Sequence, residues 1–198
     1  MTIEVEKAVP VALNSLGLDE KWLQDQIRAD PKLLGLGDLV MVAHEHRQPV
    51  GGRIDFLMRD ANATTFYEVE AMLGALDEGH IIRTIEYWDI ERQRRPCREH
   101  RAVVVAEQIT TRFLNVLRLL NRAVPMIAVE LSAFSMNGKV VLHPVTVLDV
   151  IEESADQERV DPVGKVDRAY WQKNMPPAVL VIANKVVASL RTDHIERD

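Results

Sequence analysis

Ala102-Val-Val-Val-Ala106 is the stretch that most limits the possible fold. Five consecutive apolar residues with three β-branched valines read as a strand covered on both faces, so helices must pack above and below it. Elements on either side fit that demand. Asp19 to Ala29 reads as a helix, with Leu18, Trp22, Leu23, Gln26 and Ile27 following the i, i+4 rhythm of one face, and Asp30-Pro31 should end it. Segments 39–46, 53–59 and 65–72 read as strands, with turns at 49–52 and 60–64. A longer helix is predicted over 77–93 from the spacing of Ile81, Ile85, Trp88 and Ile90, and another over 111–122 from Phe113, Leu114, Leu117 and Leu120. Met126–Leu131 and Lys139–Leu142 should pair across Asn137-Gly138. The order helix, three strands, helix, strand, helix, strands predicts a three-layer α/β core with a mixed central sheet over residues 15–150.

The ends differ from this core. Residues 1–14 alternate weakly, as an edge strand or an arm. The charged stretch from Glu152 to Arg159 reads as a linker. Beyond it, 160–198 is expected to form a helical extension split at Pro176-Pro177. Its apolar residues Val179, Leu180, Ile182, Val186, Val187 and Leu190 must bury against the core or against a second copy, so a homodimer is expected.

Thirteen residues separate Asp55 from Glu68, which is followed by Val69 and Glu70. Side chains alternate along a strand, so Glu68 and Glu70 share a face roughly 6–7 Å apart, while Tyr67, Val69 and Ala71 point into the core. If 53–59 and 65–72 form a hairpin, Asp55 can come beside Glu68. Two readings of the acids stand. They are solvated residues on an exposed face, or their mutual repulsion is relieved by a divalent cation with a preference for oxygen ligands.

Charge narrows the partner. With 24 Lys and Arg against 30 Asp and Glu, the net charge is −6, which argues against coating nucleic acid by bulk charge. Locally the balance inverts. Arg83, Arg92, Arg94, Arg95, Arg98 and Arg101 face Glu86, Asp89, Glu91 and Glu99 over one short stretch. These arginines either track a nucleic-acid backbone or complement the negative end of a helix. A single cysteine, Cys97, excludes an intrachain disulfide framework, and with no leader-like start it points to the cytoplasm. His44 and His46 share a strand face, but no third His or Cys sits near them in sequence to complete a zinc site.

Four stretches together resemble the PD-(D/E)xK nuclease superfamily, in particular its mismatch- and single-strand-cutting endonuclease branch. They are Glu20-Lys-Trp-Leu with Asp30-Pro31-Lys-Leu-Leu34; Pro49-Val-Gly-Gly-Arg-Ile-Asp55; Phe66-Tyr-Glu68-Val-Glu70; and Gly79-His80-Ile-Ile-Arg83 with Tyr87. The resemblance spans about residues 18–107. It implies a restriction-endonuclease-like core and metal-dependent hydrolysis of DNA, with RNA also compatible. It makes Asp55, Glu68 and the Val69 carbonyl ligands of Mg²⁺ or Mn²⁺, and Glu20 a residue that orients a ligand water or a second ion. It places His80 and Arg83 beside the scissile phosphate. Arg53, Arg92, Arg94 and Arg95 are the further candidates for the nucleic-acid backbone. Two departures stand out. Glu70 occupies the lysine place, where a carboxylate can act as a general base or a further metal ligand. His80 occupies the place of a glutamine. The alternative is a catalytically degenerate module of the same fold that binds nucleic acid or protein.

Overall fold

The computed structural model describes residues 7–49 and 52–150. The predicted linker and helical extension lie outside the described residues. Seven strands, β1 (Val9–Val11), β2 (Val40–Arg47), β3 (Arg53–Arg59), β4 (Thr65–Ala71), β5 (Glu99–Ala106), β6 (Met126–Met136) and β7 (Lys139–Leu148), form one sheet. Its order is β1-β6-β5-β4-β3-β2, with β7 also paired to β6. Pairs β4–β5 and β5–β6 are parallel and the remainder antiparallel, so the sheet is mixed. The expected central strand is found: Ala102 through Ala106 are all inaccessible, between β4 and β6.

Among the described residues three α-helices cover the sheet: α1 (Glu20–Ala29), α2 (Glu78–Arg94) and α3 (Thr111–Leu120). Each begins at a side-chain cap. Asp19 accepts from the Trp22 amide, Asp77 from the His80 amide and Thr110 from the Phe113 amide. Helix α1 stops where expected, at Asp30 in extended conformation before Pro31, and a short 3₁₀ turn follows. Leu23, Ile27 and Leu34 pack on Phe56, Met58, Val69 and Val103 on one face of the sheet. Ile81, Trp88 and Leu117 pack on Ala102, Val104, Met126 and Ala128 on the other. The two apolar clusters make the three layers that the central strand requires.

Three strands run longer than the sequence expectation, while β2 is shifted by one residue and β4 ends one residue early. β5 starts three residues earlier than the apolar run, because Glu99 to Arg101 pair with Thr65 to Tyr67 of β4. β6 and β7 each extend further, in a long hairpin closed at Asn137 and Gly138, both at positive φ. Residues 9–11 take the edge-strand option, paired with Ala133 to Ser135 of β6. Among the described residues no helix is long and apolar enough to cross a membrane.

Candidate active site

Strands β3 and β4 form the predicted antiparallel hairpin, and its register decides which acids meet. Phe56 lies opposite Val69, Leu57 opposite Glu68 and Arg59 opposite Phe66. The turn sets this register. Asp60 accepts from both the amide and the hydroxyl of Thr64, and its own amide donates to the Thr65 carbonyl. One step beyond Phe56–Val69, Asp55 therefore meets Glu70. The Asp55 amide donates to Glu70 Oε1 at 3.1 Å, and the Ala71 amide donates to Asp55 Oδ2 at 2.8 Å. The structure brings Asp55 to Glu70 and sets Glu68 opposite Leu57, two residues away along the strand.

Asp55 and Glu70 have further partners. The Gln24 side-chain amide donates to Asp55 Oδ1 at 3.0 Å, and Arg83 Nε donates to Glu70 Oε2 at 3.3 Å. A cleft of about 480 Å³ opens over the pair, lined also by Glu20, Lys21, Glu45, Gly52, Arg53 and Tyr87. The Glu70 side chain is only 3% exposed and that of Arg83 is 44% exposed, so the buried acid is met from the solvent side by a long cation. The solvated reading of Glu70 is thereby excluded. Burial, and then the Asp55 charge, push the Glu70 carboxyl up to about 8. Burial, with the Glu20 charge adding to it, raises Asp55 to about 6, against the Ala71 hydrogen bond and the charges of Arg83 and His80.

Glu68 belongs to a second centre. It is fully buried, and its Oε1 lies 2.8 Å from His100 Nδ1. His100 Nε2 faces the Arg95 carbonyl at 3.1 Å, which requires a proton on Nε2. One proton then lies between Nδ1 and Oε1, held by imidazolium or by carboxylic acid. Burial raises Glu68 despite the His100 hydrogen bond. Burial lowers His100, and the Glu68 hydrogen bond and charge outweigh it to leave a raised value. Among the described residues, Glu68 Oε2 is buried without a hydrogen-bond partner. Val69, the expected carbonyl ligand, sits inside the sheet between Phe56 and Val103.

The remaining candidates divide. His80 Nδ1 lies 2.8 Å from Asp77, the acid that also caps α2. Arg53 Nη1 is 3.6 Å from Glu45 at the cleft rim. Arg92 pairs with Asp89 and lies over the Trp88 ring. Arg94 and Arg95 both pair with Glu91, a fully buried acid that also accepts from Gln48. Their guanidinium groups are thus tied to Glu91, and Arg94 also donates to Gln48.

Sequence reading missed Gln24 as a partner of Asp55, and it missed the Glu68–His100 and Glu91 centres. A signal for Glu91 existed: it continues the buried spacing of Ile81, Thr84 and Trp88 along α2, with arginines three and four residues on. Among the described residues no group of three or more His, Cys, Asp or Glu side chains is placed to hold a metal ion. Asp55 and Glu70 are a two-carboxylate set.

No family model matches this chain, and no curated protein matches it. Solved structures show partial similarity. EndoMS in complex with double-stranded DNA is 17% identical with a TM-score of 0.45, covering 61% of this chain and 45% of that one. A repair endonuclease from Pyrococcus abyssi is 17% identical with a TM-score of 0.44, covering 54% and 44%. SfsA from Pyrococcus furiosus in complex with Ca²⁺ is 17% identical with a TM-score of 0.39, covering 62% of each chain. The chain spans less than half the length of the first two.

Proposed function

We propose that this protein is a metal-dependent DNA endonuclease whose centre is the Asp55–Glu70 pair. The observation that carries this reading is the meeting of two acids at the base of an open cleft, each hydrogen-bonded to the other's strand. Two carboxylates fit Mg²⁺ or Mn²⁺, which commonly take one or two carboxylates and fill the remaining positions with water. When bound, such an ion supplies an activated water and neutralises charge on the phosphate.

The chain's own groups have distinct tasks in this reading. Gln24 and the Ala71 amide fix the orientation of Asp55. Arg83 has the reach and exposure to leave Glu70 and fork onto phosphate oxygens. Glu20 lines the cleft wall, and in this reading it orients water. In the register observed, the residue two beyond Glu70 is Met72, packed in the apolar cluster. The lysine place of the family pattern is then Met72 rather than Glu70, and Arg83 is the nearby cation. This supports a second reading, a degenerate nuclease fold that binds nucleic acid or protein without cutting. Pairing of two copies through 160–198 belongs to the proposal as well.

Cleavage of a panel of single-stranded, duplex and mismatched DNA with Mg²⁺ or Mn²⁺ tests the first reading. Asp55→Ala should abolish cleavage while circular dichroism stays unchanged. Equal cleavage by the variant would refute the assignment. DNA binding without cleavage by the unaltered protein would favour the second reading.

A further inference from the structure

Next to the carboxylate cleft lies a second one of about 460 Å³, lined by Arg47, Gln48, Pro49, Gly52 and Arg53. The two share Gly52 and Arg53, so they are adjacent across these residues. Their chemistry is opposite. Glu20, Glu45, Asp55 and Glu70 line the first, whereas among the described residues no acid lines the second.

Arg47 and Arg53 are register partners across β2 and β3. Like charges on facing positions repel and are tolerated where an anion or solvent separates them. Arg53 has a long contact with Glu45, and the Arg47 side chain has no hydrogen bond or ion pair among the described residues. The floor beneath them is fixed. Gln48 is buried, donates to Glu91 Oε1 at 3.1 Å and accepts from Arg94 Nη1 at 3.3 Å. Arg94, already paired with the buried Glu91, holds Gln48 in place and leaves the charge of the cleft to Arg47 and Arg53.

We propose that the Arg47–Arg53 cleft is a phosphate subsite that holds a backbone phosphate of DNA beside the one at Asp55–Glu70. This rests on the nuclease-fold reading above. Arg53 borders both clefts, so the bound strand runs from the acids, past Arg53, to Arg47.

The test measures binding of a labelled DNA oligonucleotide by fluorescence anisotropy over a salt series, with chelator present and the full chain used. Arg47→Ala should weaken binding several-fold and lower the slope of log affinity against log salt by about 0.7–0.9, the loss of one phosphate contact. Arg47→Lys should keep the slope, and Arg118→Ala, on the exposed side of α3, should change neither quantity. Divalent-ion binding by calorimetry should be the same in Arg47→Ala as in the unaltered protein. An unchanged slope in Arg47→Ala, or an equal loss in Arg118→Ala, overturns the subsite alone. Absence of DNA binding by the unaltered protein overturns the subsite and the nuclease-fold reading together.

Discussion

Replacing Glu70 by Gln should make the metal-free protein more stable above neutral pH. Glu70 is held near 8 against an ordinary 4.5, so the folded state grips its proton more tightly than the unfolded state does. Stability from this group is fully present below its unfolded value and is lost as pH rises through the folded value. From about pH 6 to about pH 8 the linkage amounts to roughly 2 kcal/mol for Glu70 alone. Asp55, near 6, contributes in the same direction but mostly below that window. Glutamine keeps an oxygen to accept from the Asp55 amide and cannot ionise. It gives up the contact with Arg83, whose exposure limits that loss to roughly 1 kcal/mol. Urea unfolding with chelator, at several pH values, gives the comparison. The unaltered protein should lose about 2 kcal/mol more than Glu70→Gln across the window. Parallel pH dependences for the two proteins would refute the claim that Glu70 is buried against Asp55.

Two other perturbations probe the scaffold. His100→Ala leaves Glu68 buried without its partner and should cost about 3–5 kcal/mol, while Glu68→Leu with His100→Phe should be nearly neutral; a small loss in the single variant, by urea unfolding, would contradict the buried pair. Gly52 has φ +77°, and a Cβ there would strike the Tyr87 hydroxyl. Gly52→Ala should therefore cost about 1–2 kcal/mol from the backbone alone, with a further loss that Tyr87→Phe partly relieves; equal melting of Gly52→Ala in both backgrounds would remove the collision from the account.

The layer order is legible in the sequence because period-two and period-3.6 patterns report which face is buried. The run Ala102–Ala106 demands cover on both sides, and the two clusters supply it. The identity of the acid facing Asp55 is not legible. A two-residue slide of β4 along β3 leaves every side chain on its own face, so the apolar pattern fits Glu68 and Glu70 equally well. The choice is made by the Asp60–Thr64 turn, through hydrogen bonds that composition does not reveal. The Glu68–His100 pair is hidden for another reason: 32 residues separate its members, and only the parallel pairing of β4 with β5 joins them.

Net charge points away from nucleic acid, yet the structure sorts its charges locally. Several acids sit where bulk charge does not describe them. Glu91 neutralises Arg94 and Arg95 from inside the protein, and Glu68 faces His100. The remaining groups at this end of the sheet fall into an acidic cleft and a basic one that meet at Arg53. A chain with net charge −6 therefore presents an acidic cleft and a basic one side by side. In the proposed reading a phosphodiester uses both, with a divalent ion at the bond to be cut and guanidinium groups along the flanking backbone. Net charge governs long-range attraction and its salt dependence, whereas the choice of ligand is made over the short distance that separates Arg47 and Arg53 from Asp55 and Glu70.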